Sequence, residues 1–455
     1  MFELKYLQTV AKYANSFTLE DIPKAVNLKA KLIILDSLGV IVVGNNNARE
    51  SEPSKVSNAF ASFELPNSVE KGYVIGTNKV TDYKTAALLN GIALVAEELD
   101  EGNQFAKGHP ACHFFSGLLS LTSQNNRSGK EFLESFIVNY EIGARMGAAV
   151  KQKESIHPHG NWGIFANGFS VGKLLGWKNT EEYIQAAMLS TSLSMPTLWQ
   201  SISEGHQVRN VIVGLNNLHM VLLPSLVAAG FSATNLTPKI LFEEVLADGF
   251  VSAFLDKDLG NIYYLEKTYF KFYPYCRFCH SSIDAAISLV GNTSLDDIKR
   301  IDIKTYKSAA KLKAQEVQND FEGKFSIPFS VASELLNKQN PLIDETSKKQ
   351  QIKDLMRKVF VVEDEDLTAL LPTERYTAMN IEFWDQESRS IVLNRATGDP
   401  DEENLERKVL EKFKRNVLPL LGIERTQQII DSIYSLEKIN DFNAFLKLFQ
   451  RTTSE

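Results

Sequence analysis

Cysteine is scarce in this chain of 455 residues: only Cys112, Cys276 and Cys279 occur. Three thiols are too few for a disulfide framework and fit a reducing compartment. No secretory leader is expected from the first residues either. Met1 to Asn15 mixes apolar and charged residues at helical spacing, with no basic start and no unbroken apolar run. Long hydrophobic stretches are also lacking: Leu38–Gly44 and Met220–Phe231 are too short to span a bilayer, and Pro224 interrupts the second. The expectation is a cytoplasmic protein with no membrane partner. There is no basic block either. The 49 Lys and Arg are scattered among 56 Asp and Glu, for a net charge of −7, which leaves no nucleic-acid footprint. No G-x-G-x-x-G follows a strand pattern, and no G-x-x-x-x-G-K-[ST] is present, so nucleotide cofactors have no visible seat. The G-x-S-x-G nucleophile elbow is absent too.

What is present is ordinary globular material, 44% hydrophobic and 23% charged, which argues against disorder. The length suits two or three domains. Up to about residue 260 the apolar positions recur at spacings of three and four, predicting helix after helix. Leu28, Leu32, Leu35, Leu38 and Val42 form one such stripe, closed by Gly44. Phe132–Val150, Phe165–Leu175, Ile184–Leu193 and Leu218–Ala229 form others, with Gly176 and Gly230 where C-terminal caps belong. The style changes near Ile298. Ile301, Ile303 and Thr305 alternate with charged residues, Arg357–Val362 is β-branched, and Tyr376–Trp384 and Arg389–Asn394 read as two joined strands. After Asp399-Pro400 the helical pattern returns. The expected fold is mainly α with an α/β part: an all-helical domain over 1–264 and 401–455, and a smaller α/β domain over 265–400 inserted into it.

Only seven histidines occur, and five fall in three short segments. In the first, Glu98, Asp100 and Glu101 end an apolar helix and run through Gly102, Asn103 and Lys107 to His109-Pro110 and His113. A carboxylate and a histidine meeting on a loop are suited to proton transfer; a solvated helix end would look the same. In the second, His157-Pro158-His159-Gly160-Asn161 cannot be helix interior. It precedes a helix whose free N–H groups could seat a carboxylate, or it is a plain loop. The third ends in Cys276-Arg277-Phe278-Cys279-His280, literally a c-type haem attachment string or half of a zinc site. Haem attachment needs an exported context and zinc needs further ligands, so no metal is assigned. Arg209, before another apolar helix, could grip a carboxylate bidentately or sit at the surface beside a helix start.

In their order along the chain, these segments resemble the MmgE/PrpD family. Leu35-Asp36-Ser37-Leu38-Gly39 is similar to its opening LDxLG helix, and Asn90-Gly91 through His109-Pro110 to its Asp-rich helix end followed by His-Pro. Tyr140-Glu141-Ile142 to Arg145 resembles its YE(V/I)xxR helix, and His157-Pro158 to Gly176 its HPxxxxGxFAAAxAxxKLLGL stretch. Lys271, Tyr273, Pro274, Cys276, His280, Asp284 and Ala285 match its KxYPxCxxxHxxxDA signature, while Gly323–Ala332 and Gly398-Asp399-Pro400 match later landmarks. The resemblance covers nearly the whole chain.

What the resemblance implies is a large helical domain plus a smaller α/β one, usually in a homodimer, with no metal or organic cofactor. Family activities include 2-methylcitrate dehydration, cis-aconitate decarboxylation and epimerisation of a dicarboxylate, which share a carbanion next to a carboxylate. Asp100, His109, His157 and Lys271 fall on the catalytic positions. Glu101, Asn103, Lys107, His159, Arg209, Cys276, Arg277 and His280 are the substrate-binding candidates. This chain departs from the family's frequent Asp-Asp-Thr-His with Asp100-Glu101-Gly102-Asn103. Decarboxylating members resemble His at the place of Cys276, Lys at Arg209 and Tyr near Phe329, and all three differ here. The expectation is therefore a hydro-lyase acting on a small di- or tricarboxylic acid. An epimerase using the same proton abstraction, or a non-catalytic binding protein on this fold, are the alternatives.

Overall fold

The computed structural model describes residues 4–46, 71–371 and 373–451, and their fold is mainly α with an α/β part. They form two compact units. The first comprises the described parts of Met1–Trp199, Val208–Phe270 and Glu403–Glu455; the second comprises Gln200–Gln207 and Lys271–Glu402.

At the centre of the first unit is the helix Tyr83–Ala96. Asp82 caps it, accepting from the N–H groups of Lys84 and Thr85, and every residue from Ala86 to Val95 is buried. A helix that is apolar all round has to be surrounded. Here Lys24–Asn46, Phe115–Gln124 and Val208–Ala228 pack around it. The approach to Lys24–Asn46 is close: a Cβ on Gly44 would lie 2.1 Å from the carbonyl oxygen of Ala93, so only glycine fits.

Val208–Ala228 is long and apolar enough to cross a membrane. Yet it buries Arg209, Asn210, Asn216 and Asn217. The Asn217 side chain accepts from the N–H of Gly117 and donates to the Cys112 carbonyl, at 2.9 and 2.8 Å. Buried polar groups satisfied by neighbouring backbone mark a core helix. The returning chain forms Leu405–Tyr434, broken at Gly422 (φ 73°, ψ 171°) three residues after Pro419, and lies along Lys24–Asn46.

The expected all-helical character needs one correction. The first unit contains four two-stranded pieces among its described residues, pairing Lys71–Tyr73 with Val80–Asp82, Gly102–Asn103 with Thr268–Tyr269, Val150–Gln152 with Ala247–Phe250, and Ile156–His157 with Thr197–Leu198. Strands of two to four residues are too short for alternation to register in a sequence.

The second unit is built on a four-stranded sheet in the order Val359–Glu363, Ile298–Thr305, Thr377–Phe383, Arg389–Leu393. The first pair is parallel and the other two are antiparallel. Along Thr377–Phe383 every second residue is buried. The helices Arg277–Val290 and Ile327–Gln339 pack against this sheet.

Candidate active site

The segment Glu98–Glu101 leaves the central helix with its carboxylates buried. Three buried acids within four residues would repel one another unless each were held, and three separate devices hold this segment. Glu98 sits at φ 55°, left-handed backbone that a non-glycine residue adopts only under constraint. Both its oxygens accept from Arg209 Nη1, at 3.0 and 2.9 Å. Arg209 is fully buried and also donates to the Val95 carbonyl at 2.8 Å and to Asn210 Oδ1 at 3.0 Å. One residue on, the Leu99 carbonyl accepts from Lys412 Nζ at 2.8 Å, and Lys412 is itself paired with Asp36 at 2.7 Å. Glu101 accepts from the Ala111 N–H at 2.9 Å and from the Tyr140 hydroxyl. Burial drives its pKa up to about 8, against those two hydrogen bonds and with the help of the neighbouring charges of Asp100 and Asp36.

Asp100 is the member of the segment that faces histidines. Its Oδ2 lies 3.0 Å from His109 Nδ1 and 3.6 Å from His159 Nε2. His109 Nδ1 also faces the Glu101 carbonyl at 2.5 Å. That nitrogen must therefore carry a proton, a tautomer assigned from its partners. His159 continues the row: its Nδ1 is 2.9 Å from His157 Nδ1, and its ring stacks on His157 (4.6 Å) and on His109 (4.7 Å). His157 meets Trp199 edge-on at 4.4 Å. Burial lowers the pKa of His159 to about 3, and the nearby His109 and Arg209 charges push the same way against Asp100. His159 is a neutral imidazole at working pH.

The two His-Pro loops are tied together by His113. Its Nδ1 faces the His109 carbonyl at 3.1 Å, and its Nε2 lies 3.2 Å from the Gly160 N–H and the Pro158 carbonyl. Burial lowers its pKa to about 4, so this stitch is also uncharged. It leaves no room for a side chain at Gly163, where a Cβ would sit 2.3 Å from the His113 ring. Asn103 is a loop former. Its Oδ1 accepts from the N–H groups of Phe105 and Ala106, and its Nδ2 donates to the Tyr264 carbonyl at 2.7 Å. Lys107 is exposed in the same turn, at φ 56°, with Nζ 3.4 Å from the Val150 carbonyl. Neither side chain is directed at the histidine row by any of these bonds.

The remaining candidates belong to the second unit. Lys271 is fully buried. Cys276 caps the helix Arg277–Val290, and its N–H donates to the Lys324 carbonyl at 2.9 Å. Arg277 donates to the carbonyls of Thr397 (2.7 Å) and Ala396 (3.1 Å) and pairs with Asp399 at 2.5 Å. His280 lies 3.1 Å from the Tyr275 carbonyl and 3.3 Å from Arg277 Nη1. Asp284 accepts from Tyr273 and from the Thr397 N–H, each at 2.7 Å. The motif around Cys276 and the later Gly398-Asp399-Pro400 are thus two halves of one fastening.

Several working residues escaped the sequence reading. Lys412 lies more than three hundred positions from the carbonyl it holds. Tyr140, Asp36 and Arg145 were visible only as members of family-like helices. Arg145 is structural: it pairs with Glu141 at 2.7 Å and donates to the carbonyls of Lys257 (2.7 Å), Phe254 (3.1 Å) and Ile262 (2.6 Å).

One atom each from Asp100, His109 and His159 lies within 4.8 Å of the other two, close enough to share a metal ion. His109 Nδ1, however, already faces a carbonyl and a carboxylate as a donor. A metal bound through that nitrogen would require its proton to be removed.

The MmgE/PrpD N-terminal domain matches residues 8–257, and the MmgE/PrpD C-terminal domain matches residues 273–438. The chain is 23% identical to cis-aconitate decarboxylase of Aspergillus terreus, over 96% of this chain and 94% of that protein. It is 28% identical to the cis-aconitate decarboxylase-like protein oryM of Aspergillus oryzae, over 45% of this chain and 43% of that one. With both domain models matched along most of its length, the chain belongs to the MmgE/PrpD family.

Proposed function

We propose that the chain is a lyase acting on a small carboxylic acid, and more narrowly a hydro-lyase for a di- or tricarboxylate that works without metal or organic cofactor. The observation that carries this is the buried row His157–His159–Asp100–His109, with successive contacts of 2.9, 3.6 and 3.0 Å. Loss of water across a carbon–carbon bond needs a base for the proton beside the carboxylate and an acid for the departing hydroxyl. His157 is the base and His109 the acid, its proton-bearing Nδ1 anchored on Asp100. The carboxylate favours the imidazolium that His109 needs in order to act as the acid. Arg209, Asn103, Arg277 and His280 hold the frame in this scheme, because their own chain already engages them. The working form is a homodimer.

Decarboxylation is the second reading, favoured by the names of the two relatives. The test is to incubate the protein with citrate-type hydroxy acids and their unsaturated counterparts, following products by NMR and carbon dioxide by trapping. The expected result is a new alkene signal with no carbon dioxide, unchanged by a chelator. Released carbon dioxide would transfer the assignment to the second reading. Binding without turnover across the whole panel would leave a non-catalytic protein and defeat the proposal.

A further inference from the structure

The row contains one histidine more than an acid–base pair requires, and that histidine sits in the middle. His159 is flanked by His157, Asp100 and His109, with His113 and Arg209 as its other charged or titratable neighbours. Each of its ring nitrogens faces one partner. Nδ1 is 2.9 Å from His157 Nδ1, and Nε2 is 3.6 Å from Asp100 Oδ2. Two nitrogens facing each other at 2.9 Å can share only one proton, so the pair has two arrangements.

In one, His157 carries its proton on Nδ1 and gives that hydrogen bond to His159, whose own proton on Nε2 points at an ionised Asp100. In the other, His159 carries its proton on Nδ1 and gives the bond to His157, whose proton is on Nε2. His157 Nδ1 then also accepts from the His159 backbone N–H at 3.3 Å. The fold offers a contact for each arrangement and makes neither of them short.

We propose that His159 is a positioning residue that couples His157 to Asp100, handing on the proton that His157 receives. This deepens the acid–base reading above and rests on it. The step balances as follows. In the first arrangement His157 carries no proton on Nε2, and it takes the substrate proton there. Its Nδ1 proton passes to His159 Nδ1, and the His159 Nε2 proton passes to Asp100 Oδ2. One proton has entered, the carboxylate has become neutral, and both histidines end neutral with their protons on the opposite nitrogens. The base that faces the substrate is therefore never left as an isolated buried imidazolium, which burial disfavours. A two-residue link lets one carboxylate serve both His109 directly and His157 at a distance.

The test is kinetic, on the full chain with the substrate identified by the panel above. A proton inventory in mixtures of H₂O and D₂O reads how many protons move in the slow step. Wild type is expected to give a curved inventory, because more than one proton is in flight. His159→Gln, which can hydrogen-bond but cannot relay, should lower kcat roughly 10²-fold, the worth of a positioned proton-transfer group. KM should stay within about threefold, since no substrate contact is lost, and the inventory should become linear. A linear inventory in wild type would overturn the relay without any variant being needed. So would a folded His159→Gln enzyme with undiminished kcat, or one whose loss lies wholly in KM. The outcomes separate cleanly. If His157→Ala retains turnover, the acid–base reading itself falls. If His157→Ala is inactive while His159→Gln works normally, only the relay does.

Discussion

Two segments of this chain invite a chemical reading from sequence, and the structure treats them differently. Glu98–His109, together with His157–His159, ends as a carboxylate set against a row of stacked imidazoles. The segment Cys276–His280 ends as a knot. Its arginine is bound to two carbonyls and Asp399, its histidine to a carbonyl, and its cysteines are buried thiols outside any disulfide. Both have rare residues, tight spacing and a loop-to-helix setting. What separates them is where the hydrogen bonds go. In the second segment the backbone of the same unit satisfies the polar groups, which makes stability. In the first, side chains that can exchange protons face each other with charge buried among them, which is the basis of the proposed chemistry.

The largest expected effects would break this contrast if they fell on the wrong side. Asp100→Asn should lower turnover by roughly 10²–10⁴-fold while leaving the thermal transition in place, because the amide keeps the shape but cannot hold a proton or favour an imidazolium. Arg277→Met should do the reverse. Its loss strands Asp399 and two carbonyls and should cost roughly 2–4 kcal/mol of stability, while the protein that remains folded keeps its specific activity. Chemical denaturation and initial rates on both variants decide the matter.

The Arg209–Glu98 pair sharpens the same point inside the first segment. Arg209→Met alone leaves Glu98 buried and unbalanced and should destabilise by roughly 3–5 kcal/mol. Adding Glu98→Met should recover most of that loss, and the double-variant cycle measures the coupling. If Arg209 were a substrate ligand instead, the double variant would fold but show a KM raised by one to two orders of magnitude.

The candidate residues of both segments were legible in the sequence, but the contrast between them was not. Asp100, His109 and His157 stand out because histidine is rare and because proline and glycine beside it exclude helix interior. The sheet of the second unit was legible too, since Ile298–Thr305 and Thr377–Phe383 alternate with period two over seven or eight residues. What was hidden depends on long-range partnership. Nothing near Leu99 in the sequence points to Lys412, and nothing in Asn103 distinguishes an amide that binds substrate from one that closes a turn. His159 was visible as a residue, but its place between His157 and Asp100 was not, because the two segments join only through the folded loops.

A smaller effect comes from Glu101. Its pKa is raised to about 8, so between pH 4.5 and 8 the folded protein holds a proton that the unfolded chain has released. Stability should therefore fall as pH rises through that window, by at most about 1.4 kcal/mol per pH unit from this group. Glu101→Gln, which imitates the protonated acid, should flatten that slope in denaturation curves taken at pH 5.5 and 8. An unchanged slope in the variant would mean that Glu101 is ionised in the folded state. The smallest effect is expected at the other segment: Cys279→Ser should leave kcat and KM within about twofold, as suits a buried thiol with no part in the chemistry.

The central claim, that His157 and His109 move protons beside a carboxylate, is tested most directly by following deuterium. In D₂O the wild-type protein should exchange one substrate proton next to a carboxylate, seen by NMR whatever the net reaction. His157→Ala and His109→Ala should each slow that exchange by roughly 10²–10⁴-fold. Exchange that survives undiminished in both variants would contradict the account.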